Sequence, residues 1–368
     1  MRLLNKALFG IILAAALPLV VQSSIAQPSP TRASAAQNGS GQASPLTVDR
    51  DPVRSPETSG VSAPGTPLAK QGKGYVLRTN VNEVVLNATV LDGHRLVNNL
   101  TKNDFKVYED GVQQTILSFQ HTDLPVSMGL VIDNSGSMYK KRPAVNAAAV
   151  DLVQSSNPQD QAFVVNFSDE AFLDQDFTSS IAKLRDGLSH IDSRGGTALY
   201  DAIAASADHL VEEGKRPKQV LVVITDGDDN ASTLSLEQAI RRVQDLSGPV
   251  IYSIGLLYGD EMTRGEVRHA KRALEMLSEE TGGIAFFPKN LNQVDEIAKE
   301  VARDIRNQYT IGYRSTRPMS DPGFRRVEVT ASAKGMGKLT VRTRTGYFPS
   351  TPLHRSKQVA TTGRKSQQ

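Results

Sequence analysis

Two short apolar runs, each ending at an aspartate, constrain this chain more than anything else in it. In the first, Val126, Met128, Leu130, Val131 and Ile132 lead straight to Asp133 and to the turn formers of residues 134–136. A short β-prone run closed in this way predicts a buried strand that delivers side chains into a loop. The second run, residues 219–225, is also β-branched and ends at Thr225 and Asp226. Around these two, helical and strand patterns alternate. Helices are predicted over 143–156, 180–190, 197–213, 264–281 and 291–308, and strands over 161–167, 250–256 and 284–287. Ser235 and Gln238 have the spacing of a capping box and open a further helix carrying Leu236, Ile240, Val243 and Leu246. Such alternation predicts an α/β fold: a Rossmann-like, doubly wound, mostly parallel sheet with helices on both faces.

In an open sheet of that kind, ligands bind beyond the carboxyl ends of the strands, where Asp133 and Asp226 both fall. The spacing of Asp133, Ser135 and Ser137 lets a carboxylate and two hydroxyls converge, although the same residues are also ordinary turn formers. All are hard oxygen donors, suited to Mg²⁺ rather than to zinc. The segment RGGTALYD adds Thr197, a loop hydroxyl after two glycines and just before a helical pattern.

These three stretches, in this order, resemble the metal-ion-dependent adhesion site of von Willebrand factor type A domains, which occur in integrins, matrix proteins and many bacterial secreted proteins. The similarity runs from about residue 125 to 308. It implies a metal set of Asp133, Ser135, Ser137, Thr197 and Asp226, with Mg²⁺, Mn²⁺ or Ca²⁺ as cofactor. It also implies a protein partner that presents an Asp or Glu carboxylate to an open coordination position. Two protein carboxylates would just neutralise a divalent ion and leave it electrophilic. Where integrins carry an Asp pair after the second serine, this chain has Met138, Tyr139, Lys140 and Lys141, so no adjacent regulatory ion is expected.

The rest of the chain sets the context. Arg2 and Lys6 precede an apolar run over 7–21 and a small polar stretch over 22–26, the layout of a cleaved signal peptide. Residues 27–70, rich in Pro, Ser, Ala, Gly, Thr and Gln, predict a disordered linker. Export to the periplasm, the cell surface or the medium follows, with no membrane span in the mature form. Residues 75–121 and 309–349 both read as β, and neither is long enough to form a stable unit alone. They are expected to combine as one small β-sandwich into which the α/β domain, residues 125–308, is inserted. Residues 350–368 read as a disordered basic tail.

With 39% hydrophobic and 22% charged residues and a net charge of +3, the balance is that of a globular protein and offers no nucleic-acid surface. The absence of cysteine excludes disulfides and thiolate metal centres. The function expected is therefore a secreted, cation-dependent protein-binding module without catalysis. One alternative is a non-catalytic envelope scaffold whose metal site is structural or vestigial. The other, a metal-dependent hydrolase, lacks a positioned base or nucleophile in the motifs. Asp228 and Asp229 suit a solvated loop better than a second ion, and the six histidines show no ligand spacing.

Overall fold

The computed structural model describes residues 83–191, 193–246, 248–258, 262–318 and 320–349. The expected signal peptide, linker and basic tail lie outside the described residues, as do residues 75–82 of the first β segment.

The described chain opens with β1 (Glu83–Asp92), β2 (Arg95–Leu96), β3 (Phe105–Glu109) and β4 (Val112–Gln120). It then enters a run of alternating elements: β5 (Val126–Asp133), α1 (Arg142–Gln154), β6 (Gln161–Phe167), β7 (Ala171–Thr178), α2 (Ile181–Ser189) and α3 (Leu199–Glu213). These are followed by β8 (Lys218–Thr225), α4 (Leu236–Leu246), β9 (Val250–Gly255), α5 (Arg264–Thr281), β10 (Ala285–Phe286) and α6 (Val294–Arg306). The chain returns to β structure with β11 (Tyr309–Arg314), β12 (Arg325–Ala331), β13 (Leu339–Arg342) and β14 (Gly346–Tyr347).

The alternating part forms a sheet in the order β10-β9-β8-β5-β6-β7, parallel except where β7 runs antiparallel to β6. Every residue of β5 is buried. With a period of two and both faces covered, its central residues 128–132 are apolar on both faces. Met128, Leu130 and Ile132 point to the layer of α1, α2 and α6, whereas Val131 points to the layer of α3, α4 and α5. The antiparallel edge strand β7 was not foreseen, because Asp174 and Asp176 interrupt its apolar pattern. Buried Asp174 is held by hydrogen bonds from Asn166 Nδ2 (2.6 Å) and His190 Nδ1 (3.0 Å).

Gly129 lies at the middle of β5, between Phe163 of β6 and Leu221 of β8. A Cβ at this position would sit 2.6 Å from Leu221 Cδ2 and even closer to the fully buried ring of Phe163. Gly129→Val should therefore force both side chains off their rotamers and cost about 1–3 kcal/mol or more. Thermal unfolding of the variant checks this, and an unchanged melting temperature would contradict the packing described.

The two flanking β segments do fold together, as expected from their individual lack of partners. They take the form of one curled antiparallel sheet, in the order β13-β1-β11-β4-β3-β12-β14, with β2 paired to β1. Ten-residue β1 is long enough to pair along its first half with β11 and along its second half with β13. The sheet thereby curls, and β12 comes close to β13 although the two are not paired. Instead of two separate layers, one sheet encloses Leu86, Ala88, Phe105, Val107, Tyr309 and Ile311. The last β stretch is broken between β13 and β14. There Thr345 leaves the alternation, its N–H donating to the Glu280 carbonyl at the end of α5 and its carbonyl accepting from Val327.

The inserted unit is tied to this sheet at the carboxyl end of α6. Asp304 accepts from Arg342 Nη2 of β13 (2.7 Å) and from Tyr252 OH of β9 (2.6 Å). Buried Lys218 donates to the carbonyl of Ile305 (2.9 Å), placing a positive charge where the helix leaves carbonyls unpaired. Burial pushes the Lys218 ammonium down to about 8.

Candidate metal centre

The parallel register of β5 and β8 places Ile132 opposite Ile224, so that Asp133 and Thr225 end their strands side by side. Asp133 is fully buried. One carboxylate oxygen accepts the backbone N–H of Ser135 (2.8 Å) and the other accepts the hydroxyl of Thr225 (2.5 Å). Burial pushes the Asp133 carboxyl up to about 6; the hydrogen bond from Thr225 opposes this, and the charge of Asp226 adds to it.

After Asp133 the chain makes a short 3₁₀ turn, Gly136–Met138, anchored by the fully buried side chain of Met138. The anchored turn lifts two hydroxyls over the strand end. Ser135 Oγ lies 3.2 Å from Ser137 Oγ, and Ser137 Oγ donates to Asp226 Oδ1 (2.7 Å). Asp226, the first residue beyond β8, is itself almost wholly buried.

Thr197 comes from a third loop. Gly195 takes a φ of 79°, and the N–H of Gly196 donates to Asp169 Oδ1 (2.7 Å). A side chain at Gly195 would be strained and would strike the Asp169 carboxylate, which accounts for the paired glycines. The backbone of Thr197 is then fixed from both sides by Asn230, through N–H to Oδ1 (2.9 Å) and carbonyl to N–H (3.1 Å). A Cβ on Gly227 would come within 3.3 Å of Thr197 Oγ1, so the loop after β8 runs directly beside that hydroxyl.

Asp133, Ser135, Ser137 and Asp226 are thus joined by hydrogen bonds and a close hydroxyl contact at the strand ends, and Thr197 lies beside the loop that follows Asp226. Asp228 and Asp229 are engaged elsewhere: Asp228 with His269 Nδ1 (2.7 Å), and Asp229 with Tyr200 N–H (3.1 Å) and Ser232 Oγ (2.5 Å). Three participants escaped the sequence analysis. Thr225 and Asn230 belong to the TDGDDN stretch and position the acidic and hydroxyl groups. The third is Lys141, legible in the sequence only as part of the stretch standing where integrins carry an Asp pair. Its Nζ lies 2.6 Å from Asp226 Oδ2, with the Lys side chain 13% exposed and the Asp side chain 0%. Its ammonium corrects the charge balance read from the sequence: two carboxylates and one ammonium leave the site at −1, not −2.

Among the described residues no group of three or more His, Cys, Asp or Glu side chains is arranged to hold a metal. A set of two carboxylates and three hydroxyls is of a different composition from such groups. Among the same residues no helix is long and apolar enough to cross a membrane.

Residues 128–300 match the model of the von Willebrand factor type A domain. No curated protein matches the chain. Among solved structures the chain is similar to the PilB minor pilin of Streptococcus sanguinis, at 15% identity and a TM-score of 0.40, covering 50% of this chain and 62% of the pilin. It is similar also to a von Willebrand factor type A protein of Catenulispora acidiphila, at 14% identity and a TM-score of 0.44, with coverages of 68% and 75%. A third is proximal thread matrix protein 1 of the mussel byssus, solved with a zinc-occupied adhesion-site motif, at 20% identity and a TM-score of 0.41, with coverages of 55% and 50%. The alternating sheet, the helices on its two faces and the family match coincide over the same residues: this chain contains a von Willebrand factor type A domain.

Proposed function

We propose that the protein is an exported, cation-dependent binding module that captures an acidic residue of a partner protein. One observation carries the proposal: two buried carboxylates and two serine hydroxyls form one linked set at the ends of adjacent parallel strands, with Thr197 Oγ1 beside the loop that follows Asp226. Asp133, Ser135, Ser137, Thr197 and Asp226 would hold Mg²⁺ or a similar hard cation, some of them through water. Bound there, such an ion supplies an open coordination position for an external carboxylate.

The chain's own residues do the rest. Thr225 and the Ser135 N–H hold Asp133 in a fixed orientation, Asn230 fixes Thr197, and the buried Met138 keeps the serine turn in place. Export is supported by the leader pattern of residues 1–26. Among the described residues none at this face is placed as a nucleophile with a paired base, which favours binding over hydrolysis.

A second reading, a scaffold that uses no metal, is favoured by one specific feature. Lys141 already neutralises Asp226, and each carboxylate oxygen of the pair already accepts a hydrogen bond.

Calorimetric titration of the chelated protein with Mg²⁺ and Mn²⁺ separates the two readings. The binding-module reading predicts saturable binding that is lost in Ser135→Ala and Thr197→Ala while their melting temperatures in chelator stay near the native value. It further predicts that peptides selected from a random display library in Mg²⁺ contain an indispensable Asp or Glu and elute with chelator. Absence of metal binding by the native protein, or selected peptides indifferent to chelator, would favour the scaffold.

A further inference from the structure

We propose that Lys141 is a tethered cation that occupies the Asp226 side of the centre, so that a divalent ion loads only as the ammonium leaves. This rests on the metal-binding reading above and adds to it a built-in competitor.

The argument begins with Asp226. Its side chain is fully buried, and both its oxygens are already engaged, Oδ1 by the Ser137 hydroxyl at 2.7 Å and Oδ2 by Lys141 Nζ at 2.6 Å. A cation coordinated by Asp226 and Ser137 needs oxygen lone pairs from both. Ser137 can supply one while still donating to Asp226, and each Asp226 oxygen keeps a lone pair beside the hydrogen bond it accepts, so the obstacle is charge and not lone pairs. The ammonium carries three donors and no acceptor, and beside a divalent ion it is repelled. Because the pair is largely desolvated, its attraction is screened less than that of a surface pair.

The surroundings also give the ammonium somewhere to go. Lys141 Nζ lies 5.7 Å from the centroid of the Tyr258 ring, within cation–π range, on a loop that follows β9. The lysine stem is flexible and its backbone is fixed just before α1 by an N–H bond to the Met138 carbonyl (2.8 Å). The head group can therefore move from Asp226 without disturbing the serine turn. Exchange at the centre is then one divalent ion in and one ammonium off the carboxylate, with the net charge of the site rising by one, from −1 to 0.

The test compares the full chain with Lys141→Met and Lys141→Arg by Mn²⁺ calorimetry after chelation. Removal of the ammonium should tighten Mn²⁺ binding by about tenfold, equivalent to ~1.4 kcal/mol. The arginine variant should stay at or below native affinity. In native protein carrying ¹³Cε-labelled lysine, saturating Mg²⁺ should shift the Lys141 resonance, identified by its absence from the variants. That second measurement decides the matter if Lys141→Met does not fold. Equal affinities with an unmoved resonance would overturn the competition and leave the metal site standing, as would weaker binding by Lys141→Met. Failure of native, Met and Arg proteins alike to bind either ion would overturn the metal reading itself and this inference with it.

Discussion

Asp133→Asn is expected to stabilise the metal-free protein at neutral pH while abolishing its metal binding. In chelator at pH 7.5 the variant should gain about 2–3 kcal/mol, since each unit of pKa displacement corresponds to ~1.4 kcal/mol. The basis is the buried Asp133 carboxyl, pushed from 3.8 up to about 6. A carboxyl raised on folding favours the folded state fully below its unfolded value, and that contribution is lost as pH rises through the folded value. The gain of the variant should therefore be absent near pH 3.5, grow between about pH 4 and 6 and level off above. The substitution is sterically mild. Thr225 Oγ1 now donates to Asp133 and can turn to accept from an amide, while the Ser135 N–H keeps its carbonyl acceptor. Melting curves at several pH values check the effect. A variant less stable than the native protein at pH 7.5 would show that the Asp133 charge is compensated within the fold. Saturating Mg²⁺ should raise the native melting temperature and leave that of the variant unchanged.

Glu109→Leu should have the opposite and larger effect on stability, a loss of about 3–5 kcal/mol, while leaving metal affinity unchanged. Glu109 is buried in the curled sheet, where it accepts from Tyr313 OH (2.7 Å), Tyr347 OH (2.9 Å) and the hydroxyl of Ser315. It also pairs with Arg325 at 3.6 Å, both side chains being 0% exposed. Its loss strands a buried guanidinium and two phenolic hydroxyls together. Arg325 keeps its bonds to Ser315 Oγ (2.7 Å) and the Pro318 carbonyl (2.6 Å), which orient the charge without neutralising it. Denaturant unfolding combined with Mn²⁺ calorimetry separates the two readouts. A stability loss below ~1 kcal/mol, the size of an ordinary surface effect, would contradict the account of this sheet.

The sequence revealed those parts of the centre that depend on residue type and spacing, and concealed those that depend on where a long side chain ends. Asp133, Ser135 and Ser137 were legible because a buried strand can only release its last carboxylate at its end. Thr197 was legible because two glycines before a helix mark a tight approach. Lys141 was not, since nothing in MYKKRP distinguishes a lysine that opens a helix from one that reaches back to Asp226. The fold followed the same division. β5 and β8 declared themselves through their short apolar runs, and α4 through its period and its Ser235–Gln238 capping box. β7 stayed hidden because Asp174 is buried through partners in β6 and at His190, a tertiary compensation that leaves no local trace. Likewise, the two β segments declared their need for each other, but the bend of β1 that merges them into one curled sheet is set by its pairing with two different strands.

The most direct measurement is a crystal structure of the native protein grown with Mn²⁺, with data collected for anomalous scattering. The proposed centre predicts a strong peak among the oxygens of Asp133, Ser135, Ser137, Thr197 and Asp226, with Lys141 Nζ withdrawn from Asp226. A map without a peak at that position, with Lys141 still seated on Asp226, would contradict it.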